Sequence, residues 1–328
     1  MRGALFLLIF LKSFCFAVDF DVAVIGTSPI SLLEALYHYH LGHRVIVLEE
    51  ANEMGGAWKS IDICGISHVD LGCHQLGSDR EMLQFLEDYL GCQMVSLDKP
   101  ELKFDEAYSP TGFYFSAGCY EMVNNLIQMI QATDMIVMLG CQFKKIEMDQ
   151  EFAIINTKND RFTVSKIIIT PHSKIKIGNE ASEDCFSLKE KKFYHLYFLI
   201  EDSTPYRFTY KCSSIEGVSR MMNLSPFIQL ETTGQQLIVL QLWDEKFLGF
   251  GPQFFEQLKE EGFLDERARL LTIEPYIFQQ SQCDLSFLQK IKNASNFFEV
   301  LGTMPLENNI VSSIPKWKQS LPLFIQNK

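Results

Sequence analysis

One segment limits the fold of this chain more than any other. Phe20 to Ile25 (FDVAVI) is a continuous apolar run, and Gly26-Thr27-Ser28 turns the chain. Ile30 to Leu41 then carries apolar residues at helical spacing, and Arg44 to Leu48 is a second apolar run that ends in Glu49-Glu50. Ser28 is a helix-capping residue type, Pro29 suits a first helical turn, and Gly42 suits a helix stop. Strand, helix and strand in this order form a βαβ unit, whose two strands run parallel. Neither apolar run alternates with polar residues, so both faces of the sheet must be covered. An α/β class follows from this segment alone.

The rest of the chain is consistent with a second sheet. Arg80 to Leu90 and Cys119 to Thr133 read as helices, with a short strand over Met135 to Leu139. Phe143 to Met148, Phe152 to Asn156 and Phe162 to Val164 read as a meander, and Lys166 to Thr170 as a separate buried strand stopped by Pro171. Residues 173–192 are polar and charged, a place for a domain boundary. Phe193 to Ile200 and Gln236 to Trp243 read as strands of another sheet. Pro252 to Glu261 reads as a helix, and Phe297 to Leu301 as a late strand. A length of 328 residues suits two packed units.

The turn after the first strand carries the chemistry. In a nucleotide-binding βαβ unit, backbone N–H groups and the helix dipole at this turn favour a pyrophosphate. The usual fingerprint is G-x-G-x-x-G, with an acid about twenty residues on for the ribose. Here it reads Gly26-Thr27-Ser28-Pro29-Ile30-Ser31, so small hydroxyl residues replace the second and third glycines. Glu49 stands at the end of the second strand, where the ribose acid belongs. Gly55-Gly56 follow shortly, then Ala57-Trp58-Lys59, and Val69-Asp70-Leu71-Gly72-Cys73-His74 after that. A structural turn, a solvated acid and an ordinary loop are the alternative readings of these positions.

These motifs resemble the FAD-dependent amine oxidase and protoporphyrinogen oxidase superfamily, which includes UDP-galactopyranose mutases. The resemblance touches about residues 20–245 and is most specific over 20–77. Further segments carry it: Phe115 to Leu126, Gly140 to Ile146, Lys166 to Pro171, and Gly217 to Pro226. It implies a Rossmann-like FAD/NAD(P)-binding domain with an inserted mixed α+β substrate domain. The first would take residues 18–80, 114–172 and 290–328, and the second 81–113 and 173–289. It implies FAD as cofactor, with Gly26, Ser28 and Ser31 framing the pyrophosphate, Glu49 the ribose and Phe143 the adenine. Gly55, Gly56 and Lys59 would lie on the flavin side, and Gly302 and Thr303 would close over the cofactor. The family's basic residue after Gly-Gly is Ala57 here, and Thr303 stands where it has Asp. His74 and Arg220 are candidates to meet a small-molecule substrate; a core or loop histidine and a structural salt bridge are the alternatives.

The expected activity is hydride transfer from a small organic substrate to flavin. The first alternative is a flavin-free binding module on the same fold, for which Rab GDP-dissociation inhibitors are a precedent. The second is a redox-neutral flavoprotein of the mutase type. No catalytic residue stands out from spacing, which suits an enzyme whose cofactor carries the chemistry.

Charge and the chain ends add exclusions. With 29 basic and 41 acidic residues the net charge is −12, a poor match to nucleic acid. The nine cysteines show no C-x-x-C spacing, and most read as buried small hydrophobes, not a zinc site. His38, His40 and His43 do not share one helix face and read as surface residues, so no metal is expected. Residues 1–17 hold one short apolar stretch with small residues at Cys15 and Ala17, which reads as a secretory signal. The alternative is an uncleaved leader on a cytoplasmic or membrane-surface protein. No integral membrane span is expected. Asn293-Ala294-Ser295 is a glycosylation sequon if the chain is secreted.

Overall fold

The computed structural model describes residues 18–71, 76–97, 112–149, 151–170, 189–202, 204, 209–212, 214–228, 230, 234–282, 297–301 and 306–321. Strand β1 (Phe20–Ile25) is central in a seven-stranded sheet. Strand β2 (Val45–Leu48) pairs parallel on one side of β1 and is followed by helix-linked hairpin β3 (Ser60–Ile63) and β4 (Ile66–Asp70). The burial of β1 shows why its sequence does not alternate. Val22 and Val24 enter one core and Ala23 and Ile25 the other, all at most 2% exposed.

Helix α1 (Pro29–His40) connects β1 to β2, with Ser28 as its N-cap. Helix α2 (Arg80–Leu90) is capped by Asp79, whose carboxylate accepts from the Met82 N–H at 2.8 Å. Its Met82, Phe85, Leu86 and Leu90 are buried in the core on the α1 side of the first sheet. This helix was expected within the second unit, as part of 81–113; its apolar face packs on the first. Strands β5 (Met94–Leu97) and β6 (Gly112–Phe115) pair antiparallel. Helix α3 (Cys119–Gln131) follows and leads to β7 (Ile136–Met138), which pairs parallel with β2.

Strands β8 (Phe143–Met148) and β9 (Ala153–Thr157) form the expected meander. The two further strands read from the sequence are one, β10 (Arg161–Ile169). From Val164 to Ile169 it pairs parallel with β1, while its other edge changes partner. Arg161 to Val164 pair antiparallel with β9, and Ile167 to Ile169 pair parallel with Phe298 to Val300. Lys166 interrupts the apolar run but not the strand, because its ammonium pairs with Glu299.

The second sheet is antiparallel and five-stranded among the described residues. Its order is β12 (Thr209–Lys211), β13 (Val218–Asn223), β14 (Gln235–Leu242), β11 (Lys189–Glu201), β15 (Arg269–Gln282). Helix α4 (Gly251–Glu260) covers one face, burying Phe254, Phe255 and Leu258. The opposite face buries Tyr197, Met222, Leu237 and Val239 with Val69 of β4 and Tyr114 of β6. The fourteen residues of β15 gave no strand signal, since Pro275 lies among them. Proline removes one ladder donor, which an edge strand tolerates.

Strand β16 (Phe298–Val300) completes the first sheet, and helix α5 (Leu306–Trp317) returns to the core beside α1. Trp317 is 0% exposed, and its ring lies 5.6 Å from that of Phe85.

The histidine reading needs correction. His38 is buried, its ring stacks on His43, and the two Nδ1 atoms are 2.9 Å apart. Helix α1 is covered almost all round, so its polar residues are drawn inside with the apolar ones. Burial drives the His38 pKa down to about 4, with the nearby Lys166 charge acting the same way. Cys92, Cys119, Cys141 and Cys212 are buried, as expected of small hydrophobes. No helix among the described residues is long and apolar enough to cross a membrane. Residues 1–17, Cys73-His74, the sequon at Asn293 and Gly302-Thr303 lie outside the described residues.

Candidate functional site

The turn after β1 is built by hydrogen bonds between three segments. Gly26 has φ +96°, a conformation that L side chains resist, and its N–H donates to Leu48 O at 2.8 Å. This ties the turn to the end of β2. The Thr27 hydroxyl donates to Glu49 Oε2 at 2.6 Å, and the Ala51 N–H donates to Glu49 Oε1 at 2.9 Å. Gly55 N–H reaches Thr27 O at 3.1 Å and Thr27 Oγ1 at 3.2 Å. Thr27 is therefore the joint between the turn, the acid and the double-glycine loop. Sequence reasoning passed over it, because the fingerprint leaves that position open.

Gly55 and Gly56 have φ +114° and +58°. A Cβ on Gly55 would stand 2.8 Å from Val123 Cγ1, so the loop needs glycine there to lie against α3. The Gly56 Cα sits over the turn itself, with an added Cβ 3.6 Å from the Ser28 backbone. Ser28 Oγ lies 2.9 Å from Ser31 Oγ and accepts from the Ser31 N–H at 3.4 Å. No acidic residue lies in the first turn of α1, so the positive end of the helix dipole carries no charge of its own.

Gly26, Ser28, Ser31, Glu49, Gly55 and Gly56 thus converge at the C-terminal ends of β1 and β2. Phe143 stands nearby at the start of β8, partly buried in the core on the far face of the sheet. Its segment is joined to the acid through the Cys141 N–H, which donates to Glu49 O at 2.8 Å. Lys59 forms an ion pair with Glu53 at the other end of the glycine loop. Arg220 is elsewhere, on β13 of the second sheet. Its Nε donates to Gln241 Oε1 at 2.7 Å, a neutral amide on the neighbouring strand and not the salt bridge considered above.

The donor set fits the ADP half of a dinucleotide. A left-handed glycine turn and an uncharged helix N-terminus face the position of a pyrophosphate. The Glu49 carboxylate has acceptor capacity beyond the two donors it meets here. Ser28 lends one lone pair to its own helix and keeps a hydroxyl proton that Ser31 or a phosphate oxygen can take.

A cleft of about 610 Å³ opens beside the glycine loop. Glu53, Lys59, Asp62, His68, Tyr120 and Tyr276 line it, with Tyr276 supplied by the second sheet. The His68 ring stacks on Tyr120 with centroids 3.8 Å apart. Below it, the buried Asp70 holds β4 to α3. Its carboxylate accepts from the Cys119 N–H at 2.9 Å, from Ser60 Oγ at 3.0 Å and from the Tyr114 hydroxyl. Asp70 thereby caps α3, a part that the sequence motif Asp70-x-Gly72 did not disclose.

No family model and no curated protein matches this chain. Solved structures do. A reduced UDP-galactopyranose mutase superposes with a TM-score of 0.67 at 11% identity, covering 93% of each chain. An oxidoreductase from Methanosarcina mazei gives 0.62 at 12% identity, over 90% of this chain and 100% of the other. Putrescine oxidase bound to putrescine gives 0.61 at 12% identity, over 92% and 98%. The chain shares the fold of these three structures. In this amine-oxidase-like fold the first sheet is the Rossmann-like unit, and the antiparallel sheet is the mixed α+β insertion. At such identities the likeness speaks for the fold and leaves the activity to the residues.

Proposed function

We propose that this chain is an FAD-dependent oxidoreductase of the amine-oxidase-like type. The observation that carries it is the junction of the Gly26 turn, the uncharged N-terminus of α1 and the Glu49 carboxylate, held together by Thr27. In this reading Gly26, Ser28 and Ser31 bind the pyrophosphate, Glu49 the ribose hydroxyls, and Phe143 borders the adenine. Gly55, Gly56 and Lys59 run along the cofactor toward the flavin. Bound flavin supplies the hydride acceptor. The protein's part is to orient a small organic substrate and exclude water. Pockets of 300–1,000 Å³ are of the size that roughly suits such ligands, and the cleft beside Lys59 falls in that range.

The test is flavin content and FAD titration of the purified chain. A yellow protein, or one that takes up FAD and quenches its fluorescence, supports the reading. Glu49→Ala should then weaken FAD at least about tenfold, equivalent to roughly 1.4 kcal/mol. Glu49→Gln keeps one acceptor oxygen for the Ala51 N–H and can donate its NH2 to Thr27 Oγ1, and so separates charge from turn geometry. Colourless protein that cannot be reconstituted sinks the proposal.

One observation favours a second reading, the flavin-free binding module. Ser28 and Ser31 satisfy each other, and both Glu49 oxygens already have protein donors. A turn this self-contained stands without nucleotide. Thermal shifts with lipids or peptides but not with FAD or NAD would select it.

A further inference from the structure

We propose that Glu34, His38 and Glu299 form a site for a divalent first-row transition cation, with Lys316 as its internal competitor. The three residues come from α1 and β16. Glu34 and His38 are four apart, on one face of the helix. Glu299 stands beside Ile168 of β10, in the layer between sheet and helices. One donor atom from each lies within 4.8 Å of the other two.

Two polar atoms of this cluster have no hydrogen-bond partner. Glu34 is 0% exposed and its Oε2 is buried without a partner; His38 is 6% exposed and its Nε2 is in the same position. Buried polar atoms are rarely left so. The His38–His43 contact joins two Nδ1 atoms, so one ring must donate to the other. When His38 donates, its Nε2 becomes a bare lone pair and His43 acts as the outer partner that orients a ligating imidazole. Imidazole with carboxylates suits zinc, cobalt or nickel, and three protein ligands leave a position for water. Metal–ligand distances of roughly 2.0–2.2 Å require the three donors to draw together by about an ångström.

Lys316 holds the place in the metal-free protein. Its ammonium lies 2.5 Å from Glu34 Oε1 and 3.4 Å from Glu299 Oε1, while Lys166 pairs with the other Glu299 oxygen. Two lysines balance two carboxylates, so a dication enters only as Lys316 leaves. Its side chain is 33% exposed and long enough to swing to water. Binding is accordingly modest in the wild type and stronger once Lys316 loses its charge.

The test uses the full chain, freed of metal by chelation, with Co²⁺ visible absorption and Zn²⁺ calorimetry. One ion per chain is expected. His38→Ala should weaken it at least about tenfold, Lys316→Met should strengthen it about tenfold, and His40→Ala should change nothing. No saturable binding up to millimolar metal overturns the proposal, as does binding that His38→Ala leaves intact. Should His38→Ala fail to fold, Lys316→Met decides: affinity no higher than wild type overturns the site. None of these readouts depends on FAD.

Discussion

The two ends of helix α1 are built on opposite plans. At its N-terminus the polar side chains, Ser28 and Ser31, are small and uncharged. Toward its C-terminus Glu34 and His38 are buried, among two lysines and a second glutamate. The first end carries no side-chain charge to oppose the anion proposed to bind there. The second end must satisfy its own charges within the fold. Burial raises the Glu34 carboxyl above its ordinary range, and the Lys316 ammonium works against that. Burial also opposes the charge on Lys316, but Glu34 and Glu299 outweigh it and hold its pKa above the usual lysine value. Within three turns one helix thus carries the proposed cofactor-binding end and a structural end, whose buried charges the two lysines balance in the metal-free protein.

The largest effect should come from the structural end. Trp317 is fully buried, touches Phe85 and donates its indole N–H to Glu34 Oε1 at 3.0 Å. Trp317→Ala should cost about 3–5 kcal/mol by urea unfolding, because it removes core volume and one donor to a buried carboxylate together. A loss below about 1 kcal/mol would show that α5 is not part of the same cooperative core.

Ser28→Asp probes the binding end. Aspartate caps helices about as well as serine, so stability should stay within roughly 0.5 kcal/mol. The added charge stands where a pyrophosphate would, so FAD affinity should fall at least about tenfold by fluorescence titration. If FAD binds the variant as tightly as wild type, the anion does not lie at α1.

Asp21 gives the smallest effect, at the outer edge of the same unit. Its carboxylate takes a hydrogen bond from the Arg44 guanidinium, which holds its pKa below the ordinary value. A lowered carboxylate contributes stability above the unfolded pKa of about 3.9, and that is lost as pH falls through the folded value. Asp21→Asn should leave the unfolding midpoint at neutral pH nearly unchanged and flatten the acid limb of the stability curve below pH 4 or so. A clear loss at pH 7 would mean that this exposed pair does more than surface pairs normally do.

The binding end was legible because its signals are local. Strand, glycine turn, cap and acid lie within thirty residues, and each acts through its own backbone geometry or its immediate neighbours. The joint made by Thr27 was not legible, since a threonine in a turn has many uses and its partner Glu49 is 22 positions away. The structural end was misread for the same reason in stronger form. His38 looked like a surface residue because its helix was read alone, whereas Lys166 of β10, Glu299 of β16 and Lys316 of α5 lie around it. Likewise β10 was split at Lys166, whose partner Glu299 comes more than a hundred residues later.

By itself, the sequence determined the βαβ unit, the ends of α1 through its capping residues, the extent of α2, and the cluster of small residues at the Gly26 turn. Those features rest on steric limits and hydrogen bonds between near neighbours, which any chain with these residues must obey. Tertiary structure decided the change of partner along β10, the edge position that lets β15 carry Pro275, and the gathering of Glu34, His38, Lys166, Glu299 and Lys316. A buried charge is settled by whichever partners the fold brings within a few ångströms, and no local pattern in the sequence records them.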